Sequence, residues 1–391
     1  MRIGISLLWL VRGYGGLETY ARGLLAGLAE VDQRNHFVLF TNPQNHASFG
    51  ALPHRFRRRL CPLPARSRVT WRLTEQLLLA RYAAQEQLDL LHLPDDMTPL
   101  RRVCPTVVTI HDVNFYSLSD RIPRSVIRLS EAWVRRSAER ADAIITVSNF
   151  SREQITACLG VPGGRIAVIH NAPAIRARPP QARWAPLARR LGISRPYLVS
   201  FADGAPHKNL GTLLRAFAPL AERYRLQLVV VGRERPGRAP RGAREPGAEV
   251  VFAGYLGEDD LSLTLANARL LVFPSLHEGF GLPVVEAMEA GVPVTCSDTS
   301  ALPEVAGDAA LFFSPLDAGA MARAITRLHT DDDLRRALIA RGYRRAQQFS
   351  WARTALQTLR VYERVAQSQQ RRGAPPAAGE ERPALRADRA S

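Results

Sequence analysis

Residues 270–296 read LLVFPSLHEGFGLPVVEAMEAGVPVTC, and the order of physical signals within them decides the fold. Leu270–Phe273 is a continuous apolar run of strand length. Pro274, Gly279 and Gly281 then interrupt it. Pro283 suits the first turn of a helix, where its missing N–H leaves no bond unmade. Residues 284–290 continue with helical spacing, and Val292–Cys296 is a second apolar, β-rich run. Strand, helix and strand in this order form the unit of a parallel sheet covered on both faces.

The same alternation extends outward in both directions. Within 187–348 the strands read Tyr197–Phe201, Gln227–Val231, Val250–Ala253 and Ala310–Phe313. Helices are expected over 209–223, 258–267, 317–329 and 331–348. Upstream, strands read Arg2–Leu7, His36–Thr41, Asp89–Leu93, Thr106–Ile110, Ala143–Val147 and Ile166–Ile169, with amphipathic stretches at 17–30, 71–87 and 123–140. Clustered prolines and arginines at 173–186 read as a linker. The chain therefore carries two doubly wound α/β domains, 1–175 and 187–348. Residues 233–247 read as an exposed loop, and 367–391 lack periodicity and read as disordered.

Length and composition agree. A chain of 391 residues exceeds one compact core, and 46% apolar with 23% charged residues is globular. The N-terminal MRIGISLLWLVRGYGG mimics a short signal peptide. Its apolar run is brief and Arg12 follows at once, so a first strand is the better reading. No window is long and apolar enough to span a membrane. Cys61, Cys104, Cys158 and Cys296 are scattered, which fits reduced thiols of a cytoplasmic protein and no metal site.

The formal net charge is +17, concentrated in the first half. Residues 51–81 hold eight Arg, including Arg57, Arg58 and Arg59, against Glu75 alone; residues 121–140 hold six Arg against two Glu. Such a surface can draw an anionic membrane face or acceptor, or it can be a plain solvated face. Charge alone supports no nucleic-acid partner, because no recognised binding module accompanies it. Of 53 basic residues only position 208 is Lys, which either marks a place where a compact ammonium serves better than a planar fork or is the chance survivor of an arginine-rich composition.

In open parallel sheets, ligands lie beyond the carboxyl ends of the strands. Four groups of residues stand there. Gly13–Thr19 opens a helix after the first strand, and its glycines and N-terminal N–H groups suit a phosphate or make a plain glycine turn. It is not the dinucleotide fingerprint GxGxxG. His111-Asp112 can position a sugar or a proton, although a packed His beside a capping Asp looks the same. Lys208, in Gly204–Asn209, adds a full charge at a helix start, as a diphosphate requires. Glu278 precedes the helix over 284–290 and Glu286 lies about a turn inside it. They are too separated for a glycosidase dyad but placed to grip two sets of hydroxyls on one extended ligand.

These residues in this order resemble the retaining glycosyltransferases of family 4, whose fold is GT-B: two Rossmann-like doubly wound domains facing a central cleft. The specific piece is Glu278 and Glu286 within PSLHEGFGLPVVEAMEAGVPV, followed by SALPEVAGDAALFFSP (300–315). GGLETYARGL, TIHD, TVSNFSREQI, VIHNA, HKNL and FSW also match, so the resemblance spans roughly 1–366. It implies an acceptor-side first domain, a second domain that binds a nucleotide sugar, and a crossover helix at 349–366. It also implies roles. Gly16 lies near the donor phosphate and His111 near the donor sugar. Lys208 binds the diphosphate. Glu278, with Gly279, Phe280, Gly281 and Leu282, holds the sugar, and Glu286 holds the ribose. Asp203 stands where relatives often carry an Arg, so the second phosphate clamp is open, with His207 a candidate.

The implied reaction moves a hexosyl group from a nucleoside diphosphate sugar to a glycan or lipid-linked acceptor hydroxyl with retention. The catalytic group would be His111, Lys208 and Glu278, with no metal or other cofactor. The style of LPEVAGDAALFF makes GDP-mannose the first donor to consider. A cytoplasmic enzyme of cell-surface polysaccharide or glycolipid assembly follows, peripheral at the inner membrane face. A GT-B epimerase gives no reason for the Glu278–Glu286 pair, and a non-catalytic subunit gives none for Lys208, Glu278, Glu286 and His111 all being present.

Overall fold

The computed structural model describes residues 1–10, 15–49, 51–62, 68–113, 124–174, 180–232 and 250–373. The first domain is built on a seven-stranded sheet: β1 Arg2–Ser6, β2 His36–Thr41, β3 Phe56–Leu60, β4 Leu90–Leu93, β5 Thr106–Thr109, β6 Ala143–Thr146 and β7 Ile166–Val168, in the order β3-β2-β1-β4-β5-β6-β7. The second has six strands: β8 Tyr197–Phe201, β9 Gln227–Val231, β10 Val250–Gly254, β11 Leu270–Phe273, β12 Val294–Ser297 and β13 Ala310–Phe313, in the order β10-β9-β8-β11-β12-β13. All pairings are parallel. The strand order reverses between β1 and β4 in one sheet and between β8 and β11 in the other, and such points form the crevices of doubly wound folds.

The helices are α1 Gly16–Val31, α2 Arg68–Gln85, α3 Arg124–Arg140, α4 Asn149–Leu159, α5 Trp184–Leu191, α6 Leu210–Tyr224, α7 Glu258–Ala266, α8 Leu282–Glu289, α9 Leu302–Ala306, α10 Ala318–Thr330, α11 Asp332–Ala346 and α12 Trp351–Gly373. Central strands β4, β5, β8 and β11 are buried almost throughout, as continuous apolar runs require.

Four features depart from the sequence reading. The arginine-dense FRRRL is strand β3, an edge where charge discourages further pairing. Two of its arginines, Arg57 and Arg59, together with Arg2, face the buried carboxylate of Glu86. Helix α4 was not anticipated; Ser148 caps it, accepting Ser151 N–H at 3.0 Å. The end of the stretch read as a linker is helical, since α5 begins at Trp184, whose ring stacks on Tyr197 at 5.8 Å. Finally, α12 runs through residues 367–373, which had read as disordered. Residues 374–391, the loop 233–247, and Gly13 and Tyr14 lie outside the described residues.

Helix α12 follows the second domain in sequence and packs on the first. A Cβ on Gly23 would sit 2.0 Å from the Trp351 ring, and one on Gly27 2.2 Å from the Trp351 carbonyl oxygen, so only glycine lets α1 approach this closely. Tyr362 OH bonds His92 Nδ1 at 2.6 Å, His92 Nε2 bonds Thr109 Oγ1 at 2.8 Å, and Tyr20 OH lies 3.1 Å from the same Thr109 oxygen. One apolar cluster runs from Ile3 and Leu24 through Phe280 and Leu302 to Trp351, so both domains share a core. The four cysteines are free thiols. Among the described residues, no helix is long and apolar enough to cross a membrane.

Candidate active site

The loops leaving β8 and β11, the strands that flank the reversal point, carry Lys208 and Glu278. Pro206–Lys208 is a short 3-10 turn, and Asn209 ends it in the left-handed region at φ 54°. Lys208 thus precedes α6 in a turn of its own. Asn209 Nδ2 fixes that turn by donating to Pro274 O at 3.1 Å and Pro315 O at 2.7 Å. Leu276 N–H donates to His207 O at 2.7 Å, which ties the two loops together. The result is a Lys208 Nζ–Glu278 Oε1 contact of 2.6 Å between side chains 19% and 14% exposed. Burial alone would raise the Glu278 pKa; the charge and hydrogen bond of Lys208 outweigh it and leave the carboxyl below its ordinary range.

Burial first, and the Lys208 charge second, push the His207 pKa down, while the charges of Glu278 and Asp203 oppose the shift. Glu278 N–H donates to Ser300 Oγ at 3.1 Å, with Ser300 held at φ 58°, a conformation few side-chain-bearing residues adopt.

Two helix N-termini meet nearby. Gly281, at φ 101°, starts α8, and a Cβ there would lie 2.6 Å from Leu302. Gly16 opens α1, and a Cβ on it would lie 3.4 Å from Leu282 Cδ1, across the cleft. The positive ends of two helix dipoles therefore face one crevice, a field that favours an anion. The Phe280 ring turns away toward His170 and Phe349, so this residue offers the crevice its backbone.

His111 ends β5. Its Nε2 lies 3.1 Å from Pro94 O, so Nε2 carries the proton and Nδ1 is the acceptor. Burial lowers its pKa to about 4, and the ring is neutral near pH 7. The edge of Tyr20 fixes it at 4.6 Å. Gly279 of the second domain abuts it: a Cβ there would stand 2.6 Å from His111 O and 3.1 Å from Asp112 Cβ. Asp112 also acts electrostatically on His277 from across the cleft. Gly16 thus stands against Leu282, His111 against Gly279, and Lys208 against Glu278, three contacts joined through the segment 278–282.

Glu286 sits apart from the Lys208–Glu278 contact. It is 5% exposed on α8, and its carboxylate accepts the Ala174 N–H of the interdomain segment. Asp112 was read only as the partner of His111, and His277 and Ser300 were given no role; Ser300 meets Glu278 from 22 residues away, which a single sequence does not reveal.

The profile of glycosyl transferases group 1 matches residues 189–345, and that of glycosyltransferase family 4 matches residues 14–172. This chain belongs to glycosyltransferase family 4. The enzyme is similar to O-antigen chain mannosyltransferase B of Escherichia coli, 34% identical over 282 residues, 70% of this chain and 73% of that protein. It is 32% identical over 243 residues to the serotype-specific mannosyltransferase WbdA of Escherichia coli, 59% of this chain but only 30% of that longer protein. Sucrose-phosphate synthase from Thermosynechococcus elongatus has the same fold, with a TM-score of 0.69 at 21% identity, covering 94% of this chain and all of that one. The protein is therefore a glycosyltransferase with the GT-B architecture, and the epimerase and non-catalytic readings fall away.

Proposed function

We propose that the enzyme transfers mannose from GDP-mannose, with retention, to a hydroxyl of a glycan or lipid-linked acceptor. The observation that carries this reading is the Lys208–Glu278 pair at the reversal point of the second sheet, with Glu278 on the loop that leads into one of two helix N-termini brought together across the domains. The mannosyltransferase names of the relatives support the choice of sugar.

In this reading the diphosphate lies between Lys208 and the N-termini of α1 and α8. Glu278 accepts hydrogen bonds from sugar hydroxyls, and His111 Nδ1 accepts another. Glu286 exchanges the Ala174 amide for the ribose hydroxyls. The anomeric carbon–oxygen bond breaks as the diphosphate leaves, and the acceptor hydroxyl attacks from the same face. Its proton passes to the departing phosphate oxygen. His111, neutral with its Nε2 proton committed to Pro94, orients the sugar and does not shuttle a proton. Preorganised donors around the leaving group supply the acceleration; removing one costs about 3–4 kcal/mol, roughly 100-fold to 1000-fold. No divalent metal enters these steps.

The acceptor side carries the basic excess, and Leu60, Leu77 and Leu129 are exposed there. This favours peripheral contact with an anionic cytoplasmic membrane face. One assay tests the whole reading: release of nucleoside diphosphate from GDP-mannose and UDP-glucose, with an acceptor in anionic or neutral vesicles, with and without EDTA. Acceptor-dependent GDP release, undiminished by EDTA and faster on anionic vesicles, is the expected result. Preference for UDP-glucose would refute the donor, and loss in EDTA restored by Mg²⁺ would refute the metal-free mechanism. Equal rates on both vesicles would refute the membrane contact.

A further inference from the structure

The segments TVSNFS (146–151), VIHNA (168–172), LPEV (302–305) and FSW (349–351) make none of the donor contacts above, yet the fold brings them to one seam. Glu304, on α9 of the second domain, reaches the N-terminus of α4 in the first. Its carboxylate accepts the Asn149 N–H at 2.9 Å, the Asn149 side-chain amide at 2.9 Å and the Phe150 N–H at 3.1 Å. His170 Nε2 stands 2.9 Å from the same oxygen as Asn149. Arg345 bonds the backbone oxygens of Glu304 and Val305 and fixes α9 from behind.

The seam continues to the catalytic loop. Ser148 Oγ donates to Gly279 O at 2.7 Å across the cleft. Ser151 Oγ lies 2.9 Å from His111 O and 3.2 Å from Gly279 O, so one hydroxyl proton serves carbonyls of opposite domains. The Phe280 ring closes the set, 5.9 Å from His170 and 5.6 Å from Phe349. A carboxylate at a helix N-terminus is favoured by the dipole and by the N–H groups that the helix cannot satisfy itself. Here that carboxylate comes from the other domain, so its stabilisation is that of the closed arrangement. Gly279 directly follows Glu278, and gripping its carbonyl sets where Glu278 stands relative to His111.

We propose that Glu304, with Ser148 and Ser151, is the latch that holds the cleft closed, and that Ser151 is a positioning residue seating the Glu278 loop against His111. Donor entry and product release break these contacts, and closure remakes them. The functional part rests on the cleft being the transfer site; closure itself is measurable without any donor.

The test compares wild type, Glu304→Ala, Glu304→Asp and Ser151→Ala by small-angle X-ray scattering and by steady-state transfer. Glu304→Ala is expected to show a larger radius of gyration and a donor kcat/KM lowered about tenfold or more. Both kcat and KM should move, as they do when closure is impaired. Glu304→Asp should restore part of both. Ser151→Ala, which leaves the Glu304 contact in place, should lower kcat while remaining compact. Wild-type compactness and wild-type kinetics in Glu304→Ala would overturn the latch; if that variant does not fold, wild-type kcat in Ser151→Ala overturns the positioning. A protein that opens on losing Glu304 but whose wild type moves no sugar would uphold the latch and refute the donor reading.

Discussion

Glu286 is where burial and function pull hardest against each other. Burial raises its pKa to about 7, opposed by the Ala174 N–H and aided by the charge of Glu258. The folded value lies above the ordinary 4.5, so the native chain holds this proton more tightly than the unfolded chain. Between those values stability falls as pH rises, because the unfolded state ionises first. Ribose hydroxyls bond an ionised carboxylate more strongly than a protonated acid, which keeps only part of its acceptor capacity, so the nucleotide binds the ionised form more tightly. Affinity for GDP is therefore expected to strengthen from about pH 6 to about pH 8 by more than phosphate ionisation alone explains. Glu286→Gln should remove that extra dependence in calorimetric titrations. Superimposable pH profiles for the two proteins would end the ribose assignment.

At the scale of elements, the parallel strands were legible to within a residue or two because each is an apolar run between breakers. Strand β3 escaped because FRRRL has neither an apolar run nor alternation; register with β2 makes it a strand. Helix α4 escaped because its buried stripe, Ser151, Ile155 and Leu159, is short and headed by a serine. The roles of Glu304 and Ser151 were equally hidden: both are ordinary polar residues until two domains are stacked. Gly279 shows the same dependence, since its lack of a side chain matters only because His111 O lies opposite. Gly279→Ala would force a methyl group against the His111 carbonyl, and the two domains would have to shift apart there. A displacement near 1 Å costs about 100-fold in a positioned reaction. The expected outcome is a fall in kcat of roughly that size with an unchanged far-ultraviolet circular dichroism spectrum. Wild-type turnover in this variant would mean that the contact is not part of the active geometry.

At the scale of the whole molecule, two separately wound sheets work as one body through three ties. Helix α12 is wedged on α1 at Gly23 and Gly27; an apolar cluster crosses the domain boundary; and the Glu304 seam lies beside the cleft. The first two explain why α1, whose N-terminus faces the crevice, keeps its place relative to a loop nearly 260 residues away in sequence. The alternation of strands and helices pointed to two wound sheets and the family resemblance to a crossing helix, and their mutual grip became visible only in three dimensions. The central claim is that Lys208 and the helix termini together form a diphosphate site in that grip. Calorimetric titration of GDP into wild type and Lys208→Ala tests it most directly. Loss of one charged hydrogen-bond donor is worth about 1.5–3 kcal/mol, so the variant should bind roughly tenfold to 150-fold more weakly with its fold intact. Equal affinity in the two proteins would contradict the account.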